Sequence, residues 1–150
     1  ARKLGVPMVI ECRNGDLVEL APQPGIIDVV QARRVYKDGF LLIEADARAI
    51  ADRRRLSFAG AVSVPMAITD NGELAADREN DMIGIPERGR DGALMSNIAF
   101  DAAVETFETL PRARRRDPDS VAEAVRGAVR GVIAQNWGKK PMCHVHVHAI

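Results

Sequence analysis

A chain of 150 residues with 47% hydrophobic and 28% charged side chains holds enough apolar material for one ordinary domain and an appendage. Its 21 Lys and Arg balance 21 Asp and Glu, and aromatic residues make up only 4%, so neither a global positive field nor an extended base-stacking platform marks it as a nucleic-acid binder. No apolar run of about 18 residues is present, which excludes a membrane-spanning helix, and the well-separated Cys12 and Cys143, with no signal-like N-terminus, read as reduced thiols of a cytoplasmic protein.

In chain order, Ala1 to Leu4 reads as the end of a helix, with Gly5 as its stop. Val6–Cys12 and Asp16–Leu20 read as two strands joined across Arg13-Asn14-Gly15, because Asn-Gly is a strong hairpin signal. Pro22-Gln23-Pro24-Gly25 breaks the pattern and reads as a linker or a sharp exit. Ile26 to Tyr36 is apolar and β-branched enough to be extended, Lys37-Asp38-Gly39 is a turn, and Phe40 to Ile43 a short return strand. Asp46 can cap a brief helix over Ala47–Arg55, whose Arg53, Arg54 and Arg55 read as a solvated helix end. A lone hairpin is marginal in water, so the first part of the chain is expected to lie against a neighbour.

The compact unit is expected from Ser57 onward. Phe58–Thr69 has strand character, with Pro65 implying an edge or a bulge. Asp70-Asn71-Gly72 turns it into a return over Glu73–Ile85 whose middle, Arg78-Glu79-Asn80, is irregular. After a polar loop over Pro86–Gly92, Phe100, Ala103, Val104, Phe107 and Leu110 repeat at helical spacing. Pro111 ends that helix and Asp117-Pro118 opens the next, as N-cap and first helical residue. Val121, Val125, Ala128, Val129, Val132, Ile133 and Trp137 share one face, and Gly138 and Pro141 stop the helix. In the final strand Cys143, Val145, Val147 and Ala149 alternate with His144, His146, His148 and Ile150. The expected fold class is therefore α+β: a two-layer domain with a small three-stranded sheet and two helices on one face (ββααβ), preceded by a β-hairpin and connector.

Candidate functional groups are few. Arg112, Arg114, Arg115 and Arg116 precede the last helix and Lys139 and Lys140 follow it, so they are candidate RNA contacts that a single subunit keeps apart. The competing reading pairs the arginines with Asp117, Asp119, Glu105 or Glu108 on the surface. His144 and His146 lie about 6.5–7 Å apart along one strand face, a spacing for two zinc ligands, while His144 and His148 lie about 13 Å apart. A solvated strand surface is the weightier reading, since a closed zinc site takes four ligands. Asp16 is a candidate cation ligand or simply a turn aspartate closing its own hairpin. Gly127 and Gly131 form a small-residue face where another helix or subunit would approach closely. The phase of Trp137 makes it a packing residue rather than a stacking one.

Three stretches carry a family resemblance: Leu110-Pro111-Arg112-Ala113-Arg114-Arg115-Arg116-Asp117 with Trp137-Gly138-Lys139-Lys140-Pro141; Arg53-Arg54-Arg55-Leu56-Ser57 leading to Gly60; and Gly5-Val6-Pro7, Asn14-Gly15-Asp16 and Leu20-Ala21-Pro22. In this order and spacing the chain resembles the C-terminal part of bacterial ribonuclease J, a metallo-β-lactamase-type family of RNA-degrading enzymes. The resemblance implies that residues 1–20 end the β-lactamase domain, 21–56 form a connector and 57–150 are the family's C-terminal domain. It implies a full-length, zinc-dependent 5′-to-3′ exonuclease and endonuclease acting on RNA, with assembly through this region into a homo-oligomer, here expected to be a dimer. It also implies a structural cation, such as calcium, near Asp16. The hydrolytic His-x-His-x-Asp-His cluster is not in this chain, whose three histidines fall in its last seven residues, so no catalytic residue is expected here and the chain alone should be inactive. The alternative is a free-standing RNA-binding adaptor on the same fold.

Overall fold

The computed structural model describes residues 2–76 and 80–150. Two compact units divide at Ala47/Arg48, nine residues before the Ser57 boundary expected from sequence.

The first unit holds a 3-10 turn, Arg2–Leu4, and two separate antiparallel hairpins: β1 (Asp16–Glu19) with β2 (Gly25–Val29), and β3 (Val35–Asp38) with β4 (Leu41–Glu44). The second hairpin lies where a turn and short return were expected, although Lys37 and Asp38 belong to its first strand and the expected extended stretch Ile26–Tyr36 is divided between β2 and β3; the first hairpin differs more. Residues 6–12 form no strand, and β1 pairs forward with β2, so of the two readings of Pro22-Gln23-Pro24 the sharp turn holds and the linker does not. The Asn-Gly signal is spent differently. Asp16 closes a tight turn by donating its N–H to the Arg13 carbonyl at 3.1 Å, and Gly15 lets the chain at Val30 come close. A Cβ at Gly15 would lie 2.4 Å from the Val30 carbonyl oxygen. Among the described residues none of the buried hydrophobic side chains belongs to this unit, and Ile27, Val29, Phe40, Leu41 and Leu42 are exposed.

The second unit begins with α1 (Arg48–Ala59), longer than the expected Ala47–Arg55. Leu56, Ser57, Phe58 and Ala59 contain no breaker, so the helix continues through what the β-branched run beyond them made look like a strand. Gly60 ends it with φ +65°, donating its N–H to Leu56 O at 2.8 Å. The central strand β5 (Ala61–Ile68) pairs on one side with the C-terminal strand β8 (Met142–Ala149), in parallel along its whole length. On its other side lies the antiparallel return, in two pieces: β6 (Leu74–Ala76) at one end and β7 (Asp81–Ile83) at the other. Pro65 thus sits on the central strand and not at an edge, and it is accommodated between the paired stretches Ala61–Ser63 and Ala67–Ile68. Of the expected irregular middle, Arg78 and Glu79 lie outside the described residues.

Parallel pairing of β5 with β8 requires a crossover. It is made by α2 (Met95–Thr109), the short α3 (Arg112–Arg115) and α4 (Pro118–Trp137). Both long helices cover one sheet face, so the α+β two-layer architecture holds. Val62, Val64, Met66 and Ile68 of β5 meet Met95, Ala99, Ala103 and Phe107 of α2 and Val121, Val125, Val129 and Ile133 of α4. The phase of α2 is rotated relative to expectation: Phe100 and Val104 are only half-buried, while Met95 and Ala99, outside the expected stripe, are buried with Ala103 and Phe107. Each buried large apolar side chain contributes about 1.5–3 kcal/mol, so this interface dominates stability. The ends of α4 are as expected: Asp117 accepts from Asp119 N–H, Pro118 opens the helix, and Gly138 closes it.

Candidate functional site

The six basic candidates fall into three environments. α4 has 20 residues and is therefore about 30 Å long, which separates the arginines before it from the lysines after it. At its N-terminal end, Arg112, Arg115 and Arg116 line a cavity of 290 Å³ with Asn71, Gly72 and Glu73 of the β5–β6 turn. Arg115 is already engaged. Its Nε donates to Leu110 O at 2.7 Å, its Nη2 donates to Glu108 O, and its guanidinium lies 5.5 Å from the Phe107 ring centroid. This side chain holds the α2–α3 corner together. Arg114 acts on Asp117, whose carboxyl is held below its ordinary value chiefly by the Ser120 side chain, helped by the N–H groups of Asp119 and Ser120 and by Arg114, against desolvation, which pushes it up.

At the other end, Lys139 is a structural pin. Its Nζ donates to Phe58 O at 2.9 Å and lies 4.5 Å and 5.1 Å from the Phe58 and Trp137 ring centroids. Trp137 is half-buried and packs against the core, in line with the packing role its phase suggested. Lys140 instead faces a cavity of 510 Å³ shared with Arg55 of α1, Arg126 and Arg130 of α4, and Cys143 and His144 of β8. Burial pushes the Cys143 thiol up to about 11, although Arg126 and Arg130 pull the other way. Sequence reasoning named Lys140 as an RNA contact, His144 as a zinc candidate and Arg55 as a solvated helix end, and missed that they form one group with Arg126 and Arg130. For Arg126 and Arg130 the signal available was their spacing, four apart on one helix face.

The strand histidines alternate as read. His144, His146 and His148 are exposed on the uncovered sheet face, in register with Ser63, Pro65 and Ala67. Asp16 accepts the Arg13 N–H at 2.6 Å through Oδ2, closing its own turn. A calcium site takes about 6–8 oxygen ligands, of which Asp16 supplies one carboxylate. Among the described residues no three His, Cys, Asp or Glu side chains group to hold a metal ion. Nor is any described helix long and apolar enough to cross a membrane. Adding a Cβ to Gly127 or Gly131 would meet nothing within 4 Å, so no close neighbour stands over them among the described residues.

A one-sided α+β sheet with cation-lined ends defines a small two-layer module. Residues 48–150 match the family described as Ribonuclease J C-terminal domain, and the chain belongs to that family. It is also 40% identical over 144 residues to a ribonuclease J of Sinorhizobium meliloti (strain Sm2011 / Rm2011 / 2011), an alignment that covers 95% of this chain and 26% of that protein. The chain thus spans about a quarter of the length of the curated relative it matches.

Proposed function

We propose that this chain is the C-terminal region of a ribonuclease J and that it serves to assemble the enzyme and position its catalytic body. In this reading the parent is a cytoplasmic, zinc-dependent 5′-to-3′ exonuclease and endonuclease of RNA. Two metals in such a site need several His and Asp ligands, and three histidines spread along one exposed strand do not fit that role. No catalytic step is therefore assigned to these residues. Residues 1–20 are read as the end of the β-lactamase domain and 21–47 as a connector.

The observation that carries the assembly role is the apolar surface of residues 1–47. Two hairpins with no buried hydrophobic residue, and with Phe40 106% exposed, do not stabilise themselves. They support a reading in which this segment lies on a larger body or on a second copy. The open backbone at Gly127 and Gly131 adds a place for close helix approach. Sedimentation of the purified chain tests this. A dimer is expected, and Gly131→Glu should lower its mass without unfolding it. A monomer at high concentration would remove the assembly role. The same material should leave labelled RNA intact with any divalent metal, and cleavage abolished by a point change in this chain would overturn the placement of the catalytic centre elsewhere.

A further inference from the structure

We propose that the end of the second unit formed by α1, the C-terminal half of α4 and the start of β8 is a track for the phosphodiester backbone of single-stranded RNA, with Phe58 as its stacking residue. Two cavities meet at Phe58. One, of 510 Å³, gathers Arg55, Arg126, Arg130 and Lys140, with His144 at its wall. The other, of 480 Å³, is lined by Arg53, Arg54 and Lys139. Neither lining contains a carboxylate. In a chain whose 21 basic and 21 acidic residues cancel, this is a strong local imbalance.

Folding alone does not favour the arrangement. Arg126 and Arg130 are like charges four apart on one helix, which is mildly destabilising. Glu123 pairs with Arg126, and Asp52 lies 3.9 Å from Arg55. Arg130 and Lys140 form no ion pair among the described residues. An anion seated between them relieves the repulsion, and guanidinium forks suit phosphate oxygens. Phe58 distinguishes the ligand. It is 68% exposed, on the rim of both cavities, although burying it would stabilise the fold. A ring among cations is how single strands are held: phosphates on the basic groups, a base on the aromatic face. The low aromatic content argues against an extended platform, and this track needs one ring. The choice of RNA over other polyanions rests on the ribonuclease J reading.

Fluorescence anisotropy of a short labelled single-stranded RNA with the whole chain tests the track. Binding should weaken linearly on a log–log plot as salt rises. The exposed pair Arg130→Glu with Lys140→Glu should weaken it at least about tenfold and flatten the salt slope by roughly 0.7 per lost contact. Phe58→Ala should weaken it about tenfold with the slope unchanged, and Phe58→Trp should restore it. Arg90→Glu, the same charge change elsewhere, should retain full affinity. Unchanged affinity in the folded double variant overturns the track, as does polyglutamate competing as well as RNA, which would identify an acidic peptide as the ligand. A dimer with RNA affinity unaffected by the double variant defeats the track and leaves the assembly role standing. A monomer whose RNA binding is lost in that variant does the reverse.

Discussion

Lys139 grips Phe58 twice: its ammonium donates to that residue's carbonyl at 2.9 Å and lies 4.5 Å from its ring centroid. The second residue after α4 thereby fixes the last turn of α1, a helix with only Ala59 buried. Removing the ammonium with Lys139→Met should cost about 1 kcal/mol, the scale of one net hydrogen bond with an exposed cation–π contact. Hydrogen exchange should then show reduced protection over residues 48–59 while the α4 amides keep theirs.

Two glycine classes should respond oppositely to alanine. At Gly60 a Cβ would sit 2.4 Å from Ile83 O on a backbone with φ +65°, so Gly60→Ala should destabilise by at least about 2 kcal/mol. At Gly127 and Gly131 the space within the chain is open and the backbone helical, so alanine should stabilise the isolated subunit, at concentrations below dimer formation, by roughly 0.5–1 kcal/mol at each. Denaturant midpoints at fixed protein concentration read both. A loss of stability at Gly131→Ala that deepens with concentration would show a subunit pressing on the helix.

The contrast also shows what the sequence made legible. α4 was readable to the residue because Asp117-Pro118, a single apolar stripe and Gly138 all act within one helix. The α1–β5 junction was not, because Phe58 suits helix and strand alike and Gly60 is decided by Ile83, more than twenty residues on. At Gly15 the turn signal was real, but pairing across a turn depends on the partner, and β2 supplied it. The basic cavity was invisible for the same reason: Arg55, Arg130 and Lys140 belong to different segments that only the packed sheet and helices bring together.

Two ionisable groups set opposite pH limits. Asp117 is held below the ordinary carboxylate value, so the stability it gives the start of α4 is present above that value and fades as pH falls through its lowered native one. Asp117→Asn keeps the cap and should remove that part of the acid dependence. Cys143, raised to about 11 by burial, acts at the other end. Below its ordinary value of 9.0 the thiol is neutral in both states, and stability is lost as pH climbs from there through about 11. Cys143→Ala should flatten the alkaline limb of the denaturation profile. At mildly alkaline pH a thiol reagent should modify exposed Cys12 and spare Cys143 until the chain unfolds.

Arg115 separates a structural arginine from an RNA contact. Its guanidinium serves the Leu110 and Glu108 carbonyls at once and covers the Phe107 ring, so the side chain ties the end of α2 to α3. These carbonyls lie where α2 ends and have no helical partner of their own to lose. Arg115→Ala should cost roughly 1.5–3 kcal/mol, the range for a hydrogen bond to a charged group. Arg115→Lys should recover little, since a single ammonium does not reproduce the planar fork or its stacking. Thermal melts together with RNA anisotropy decide the role: a lower melting temperature with unchanged affinity is expected. Full stability with weakened RNA binding would instead assign Arg115 to RNA and make the Arg112–Arg116 end of α4 a second contact.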